Sequence, residues 1–210
     1  MTGKHAAFTL VELLVVIAII IVLAGLLMAV TPGVILRGKI TSSLNNMRQI
    51  GTGFQLYANE NDNFLPSRVQ SSDKWPALIY AYMRDRKAFA DPGDPRNFLV
   101  TKTDPLSNER NNTSYIMNGY NDVGAYADES TTIKASSLDS PSQTILLANQ
   151  SASGNFYMDT AEGNQSSGVL RKKVFNDGAN YLFADGSVRF LAAKDLKDEL
   201  WLVHKTVATP

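Results

Sequence analysis

The chain has no cysteine among its 210 residues and only two histidines, His5 and His204. The missing cysteine excludes a disulfide framework, a thiol nucleophile and any thiolate metal site. With so few histidines there is no His cluster for zinc, and a Ser-His-Asp arrangement would have to rest on His204 alone. Phosphate loops, dinucleotide fingerprints and internal repeats are also absent. Neither sign of charge dominates, since 20 basic side chains meet 20 acidic ones. That balance gives no electrostatic reason for a nucleic-acid partner. The expectation is a protein that is not an enzyme.

Acid is scarcest at the start of the chain. Of the 20 acidic residues only Glu12 precedes Asn59, leaving 19 beyond it, whereas Lys4, Arg37, Lys39 and Arg48 leave 16 of the 20 basic ones. Residues 10–30 form an apolar run in which Glu12 is the single charge. A cleavable secretory signal has an apolar region of about 7–15 residues and a small-residue cleavage site, and this run is longer with no such site after it. About 20 apolar residues span a bilayer, so the expectation is a membrane-spanning helix over 8–30. An acid in the middle of such a helix costs roughly 2.5–3.5 kcal/mol, less near an end, so Glu12 calls for a compensating role.

The stretch AAFTLVELLVVIAII, residues 6–20, resembles the N-terminus of the type IV pilin and type II secretion pseudopilin superfamily. The resemblance implies a short basic leader, residues 1–7 with Lys4, cut by a prepilin peptidase between Ala7 and Phe8. Ala7 stands where the family usually has Gly. The new Phe8 amine would then be methylated, and Glu12 would pair with the Phe8 amine of a neighbouring subunit during assembly. Pairing a charge in a poorly hydrated setting offsets an otherwise expensive burial. A second stretch, FNDGANYLFADGSVRFL at 175–191, resembles the C-terminal signature of a pseudopilin-like family, a His, nine residues, then Asp-Gly. Asp185-Gly186 supplies the Asp-Gly, but Phe175 occupies the His position, so nothing assigned to that His carries over. NNMRQIGTGFQLYANENDNFLPS resembles the family's helix exit, and FADPGDP its Phe-x-Cys-Pro-x-Asp element, with Asp91 in place of the Cys.

Past the apolar run, Leu36, Ile40, Leu44, Met47, Ile50, Phe54 and Tyr57 recur at spacings of three and four, one face of a helix. Pro32-Gly33 is expected to kink or loosen it. A short helix is expected from about Trp75 to Met83, an irregular loop over 91–126, a strand over 144–148 and a closing helix over 193–203. Asp185-Gly186 between two apolar runs predicts a hairpin. A two-residue turn there would set Phe183 opposite Val188 and Tyr181 opposite Phe190, all four facing the stalk helix.

The whole is expected to be α+β: a long N-terminal helix, membrane-spanning in its first half, on a small antiparallel sheet head. The segments are a leader at 1–7, a transmembrane helix at 8–30, a helical stalk at 31–58 and a head at 59–210. The implied function is a structural subunit of a type II secretion pseudopilus or type IV pilus-like filament. Its expected partners are a prepilin peptidase, other pilin-like subunits, the secretion or pilus assembly machinery and the membrane. The implied placement is single-pass in a bacterial inner membrane, with the head on the periplasmic or extracellular side. The alternative is a membrane-anchored surface module that binds an extracellular ligand through its loop-rich head. Related pseudopilins hold calcium in a head loop, which makes Asp91, Asp94, Asp122 and Asp128 the candidate ligands. Asp and Asn in loops more often cap turns.

Overall fold

The computed structural model describes residues 9–66, 74–96, 113–120, 133–151, 156–158 and 168–203, apart from the side chains of 27 and 29–31. The chain divides into two compact units, 1–38 and 39–210. Helix α1, Leu10–Glu60, runs through both and contains Pro32 within its helical span. In the first unit most of the described large apolar side chains lie exposed, from Leu10 at 80% to Val16 at 46%.

Among the described residues no helix is long and apolar enough to cross a membrane. This finding corrects the membrane-spanning first half of the fold, the transmembrane character of the helix, the membrane as a partner and the single-pass inner-membrane placement.

In the second unit, Ser43, Met47, Ile50, Phe54 and Ala58 form the buried stripe of α1 at three- and four-residue spacings. Helix α2, Trp75–Met83, has Pro at its first turn and ends at Arg84, which takes a left-handed conformation (φ 54°). Gly53 lets the two helices approach, because a Cβ there would lie 2.6 Å from Ile79 Cγ2. Trp75 stacks on Phe54 at 5.7 Å and donates its indole N–H to the Phe156 carbonyl at 3.0 Å.

The sheet has five strands: β1 Tyr115–Asn118, β2 Ile145–Asn149, β3 Tyr157–Met158, β4 Gly178–Phe183 and β5 Val188–Ala192, in the order β3-β1-β2-β4-β5. It is mixed, which corrects the all-antiparallel expectation. β2 reverses the direction of β1, and the following link reverses the chain again, so β3 lies parallel to β1. β1 sits inside the stretch expected to be loop, and all four of its residues are buried.

Two apolar layers cover the sheet. Tyr115, Met117, Leu147 and Leu182 meet α1 and α2, while Ile116, Ala148, Ala179, Tyr181 and Phe183 meet Trp201, Leu196 and Leu200. Tyr181 and Phe183 therefore face away from the stalk, contrary to expectation. The hairpin register differs by one as well, with Leu182 opposite Val188 and Tyr181 opposite Arg189. The turn is the reason. Gly186 N–H donates to the Phe183 carbonyl and Phe183 N–H to the Ser187 carbonyl, with Gly186 at φ +85°. That is a three-residue loop with a left-handed glycine bulge, not a two-residue turn.

The C-terminal segment forms two short 3-10 turns, Ala193–Asp195 and Asp198–Trp201, in place of the expected helix. The Trp201 and Leu202 carbonyls accept from the Asn118 and Thr144 side chains.

Candidate functional site

The first turn of α1 sets the geometry around Glu12. Thr9 N–H and Thr9 hydroxyl both donate to Glu12 Oε2, at 2.9 and 2.7 Å, and Glu12 N–H points back to Thr9 Oγ1 at 3.3 Å. This is a reciprocal capping box, a Thr at the cap and an acid three residues on, which satisfies donors that a helix start leaves free. The Thr9 backbone N–H, then its hydroxyl, hold the Glu12 carboxyl below the usual carboxylate range. Ala7 and Phe8, the expected cleavage pair, lie outside the described residues, as do His5 and His204.

A second cluster gathers where α1 meets the 89–96 segment. Ser43 hydroxyl donates to Asp91 Oδ2 at 2.5 Å, Gly93 N–H donates to Asp91 Oδ1 at 2.7 Å, and Asn46 Nδ2 donates to the Ala90 carbonyl at 2.9 Å. Asp91 and Ser43 are both fully buried. Burial raises the Tyr115 phenol well above its ordinary pKa, and the Asp91 charge beside it adds to the effect.

Asp94 is held differently. Arg96 forks onto both of its oxygens, with Nη2 2.9 Å from Oδ2 and Nε 3.2 Å from Oδ1, and Arg171 Nη1 reaches Oδ1 at 3.2 Å. Burial disfavours its charge, but the hydrogen bonds from the Arg96 side chain and backbone N–H outweigh this and hold the carboxyl below the usual range. Asp91 and Asp94 are thus occupied by protein donors. Asp122 and Asp128 lie outside the described residues, and among those described no group of three or more His, Cys, Asp or Glu is placed to hold a metal ion.

At the hairpin, Asp185 Oδ1 accepts from Ser187 N–H at 2.9 Å and from its hydroxyl at 2.6 Å, which makes Asp185 a turn-setting residue. Beside it a cleft of about 120 Å³ is lined by Phe54, Gln55, Asn59, Leu146, Phe183 and Gly186, among others. Phe175, at the position of the family His, is buried against Gly93, where a Cβ would lie 2.7 Å from its ring. The 89–96 and 175–191 segments therefore meet, and Ser43 and Asn46 fasten the first of them to α1.

Sequence reasoning missed two amides that tie the head together. Asn118 Nδ2 donates to the Ile145 and Trp201 carbonyls, each at 2.9 Å, and Asn180 Nδ2 donates to the Ile40 carbonyl at 3.0 Å. The only signal was an Asn inside or directly after an apolar run.

The pattern described as the prokaryotic N-terminal methylation motif matches residues 3–28. No curated protein and no solved structure matches the chain. The motif holds Ala7, Phe8, Thr9 and Glu12 and does not reach the C-terminal stretch 175–191. Its presence is consistent with the pilin and pseudopilin superfamily and supports processing of that type at the N-terminus.

Proposed function

We propose that this chain is a non-catalytic, pilin-like structural subunit, cleaved between Ala7 and Phe8, methylated on Phe8 and assembled through α1 into a pseudopilus or type IV pilus-like filament. The observation that carries the reading is the methylation motif over 3–28, with Glu12 seated in the first turn of the helix that follows. The apolar side chains of 10–26 add support, because soluble monomers rarely leave so large an apolar surface uncovered and copies of the same helix would cover it. Further support comes from the head, where the three stretches that resemble the pseudopilin-like family touch one another, Asn46 at the Ala90 carbonyl and Gly93 at the Phe175 ring.

Mass spectrometry of the mature chain tests the processing step. The expected N-terminus is N-methylated Phe8, and a mature chain that starts elsewhere overturns it. Filaments sheared from cells that express the parent, but not from cells that express Glu12→Gln at a matched level, are the expected result for assembly. No filament from the parent would remove the structural role.

A further inference from the structure

Asn118-Gly119, where β1 ends, is the only Asn-Gly step in the chain. Asn followed by Gly is the pair most prone to deamidation, because a residue without a Cβ lets its backbone nitrogen fold back onto the preceding side chain. The Gly nitrogen gives its proton to solvent and bonds to the Asn Cγ, and the Cγ–Nδ2 bond breaks. Nδ2 takes a proton from water and leaves as ammonia. Water then opens the succinimide ring at either carbonyl. One opening yields aspartate, and the other yields isoaspartate, with the main chain rerouted through the side chain. Water is the only co-reactant.

In the folded head each reacting atom is already engaged. Gly119 N–H, which must lose its proton, donates to the Met158 carbonyl at 2.8 Å. Asn118 Nδ2, the leaving group, spends both hydrogens on the Ile145 and Trp201 carbonyls, each at 2.9 Å. Oδ1 accepts from Tyr120 N–H at 2.9 Å. Both residues of the step are buried. Swinging Cγ over the Gly119 nitrogen would break these side-chain bonds together, away from the water that has to carry the protons.

The same contacts reject the product. Aspartate at 118 would turn an oxygen without a hydrogen toward two carbonyl oxygens and bury a charge with no cation beside it. Isoaspartate would lengthen the main chain just where Gly119 meets Met158. The arrangement closes only when the far end of the described chain is in place, since Trp201 lies 83 positions beyond Asn118.

We infer that Asn118-Gly119 is a spontaneous modification site, silent in the finished fold and live in any chain whose Asp198–Trp201 turn is undocked. Succinimide closure takes hours or longer and folding far less, so a chain that folds on time escapes it. A chain that stays open, or reopens often, is altered at the residue that would have closed it, and a reversible opening becomes permanent. The inference is independent of the N-terminal reading.

The full chain, in mild detergent to shield the exposed apolar helix face, is held at mildly alkaline pH in a native arm and a denatured arm. Cleavage after Arg110 and Lys134 frees one peptide that carries Asn118, with Asn111, Asn112 and Asn121 as internal references. Fragment masses read each site. In the denatured arm Asn118 should deamidate ahead of the references, and in the native arm about tenfold or more slowly. Ion exchange then isolates deamidated chains by their added negative charge, which isomerisation at an Asp-Gly step does not produce. On return to native conditions unmodified chains should regain the parent melt, and deamidated chains should not. Leu200→Ala trims a half-buried side chain on the turn that carries Trp201 and leaves the Trp201 carbonyl in place. Well below its own melting temperature it should deamidate at Asn118 severalfold faster than the parent. Asn118→Asp, the product made directly, should melt below Asn118→Ala, because alanine leaves the two carbonyls unpaired but sets no charge beside them. Equal native and denatured rates at Asn118 would overturn the inference, as would deamidated chains that melt like the parent. A Leu200→Ala chain no faster than the parent, or an Asn118→Asp chain that melts at or above Asn118→Ala, would do the same.

Discussion

Replacing Ser43 with Ala should loosen the head from α1 by an amount that the geometry sets. Ser43 and Asp91 are both fully buried, and their hydrogen bond is 2.5 Å long. Alanine keeps the Cβ and the helix propensity but leaves Asp91 Oδ2 without the Ser43 donor. Hydrogen bonds to charged groups contribute about 1.5–3 kcal/mol, and a buried oxygen left unpaired keeps the full desolvation cost. The folded unit runs from 39 to 210, which is 172 residues. For a unit of that size each kcal/mol moves the melting temperature by roughly 2–4 °C, so the expected loss is about 3–12 °C. Tryptophan fluorescence can follow the melt, because Trp75 and Trp201 are both fully buried, one in each apolar layer. The charge makes the prediction specific. In an Asp91→Asn background the Ser43→Ala penalty should shrink to about 0.5–1.5 kcal/mol, the range for neutral pairs. Equal penalties in the two backgrounds, or a parent-background shift under about 1 °C, would refute the reasoning.

Three further outcomes follow from the same geometry. Gly186→Ala should cost about 1–2 kcal/mol through its φ of +85°, and most of that cost should persist in a Gln55→Ala background, because the close Gln55 Nε2 is the end of a flexible chain. Asp94 has a lowered folded pKa, so it contributes stability above its unfolded value near 4 and loses it as pH falls through the lower folded value. Melts of Asp94→Asn should therefore depend less steeply on pH below about 4 than those of the parent. A chain that begins at Thr31 should stay soluble and melt in a single cooperative transition, and aggregation without a transition would count against the head as an independent core.

Period-based features of the fold were legible because each rests on one local rule. The buried stripe of α1, the start of α2 at Trp75-Pro76 and a turn at Asp185-Gly186 all belong to this class. What was not legible depends on contacts between distant segments. β1 is three apolar residues and an Asn set among polar residues, too short a run to outweigh the turn signals around it, and it is a strand because β2 and β3 flank it. The face of β4 could not be read from alternation, since all six of its residues are buried. The closing segment has helix formers, but its carbonyls find partners on the sheet. At the 89–96 segment, Asp91 and Asp94 look alike in sequence. Their neighbours separate them, a serine and a glycine amide for one and two arginines for the other.

Glu12 has two explanations, and one substitution separates them. The Thr-x-x-Glu spacing from Thr9 is visible in the sequence, and the structure forms the capping box it encodes, so a local role for the carboxylate needs no second subunit. The proposed assembly role asks more of the same group, a full negative charge for the Phe8 amine of a neighbour. Gln is a regular partner in capping boxes and keeps an oxygen for the Thr9 N–H, yet it carries no charge. Glu12→Gln therefore preserves the cap and removes only the counter-ion. Thr9→Val does the reverse, removing the hydroxyl from the box while the charge stays. If capping is all that Glu12 does, Glu12→Gln filaments should match the parent and Thr9→Val should reduce them. If charge pairing drives assembly, Glu12→Gln should abolish filaments and Thr9→Val should leave them largely intact, since losing a helix cap costs only about 0.5–2 kcal/mol. Recovery of filaments from both variants at parental levels would leave neither explanation standing.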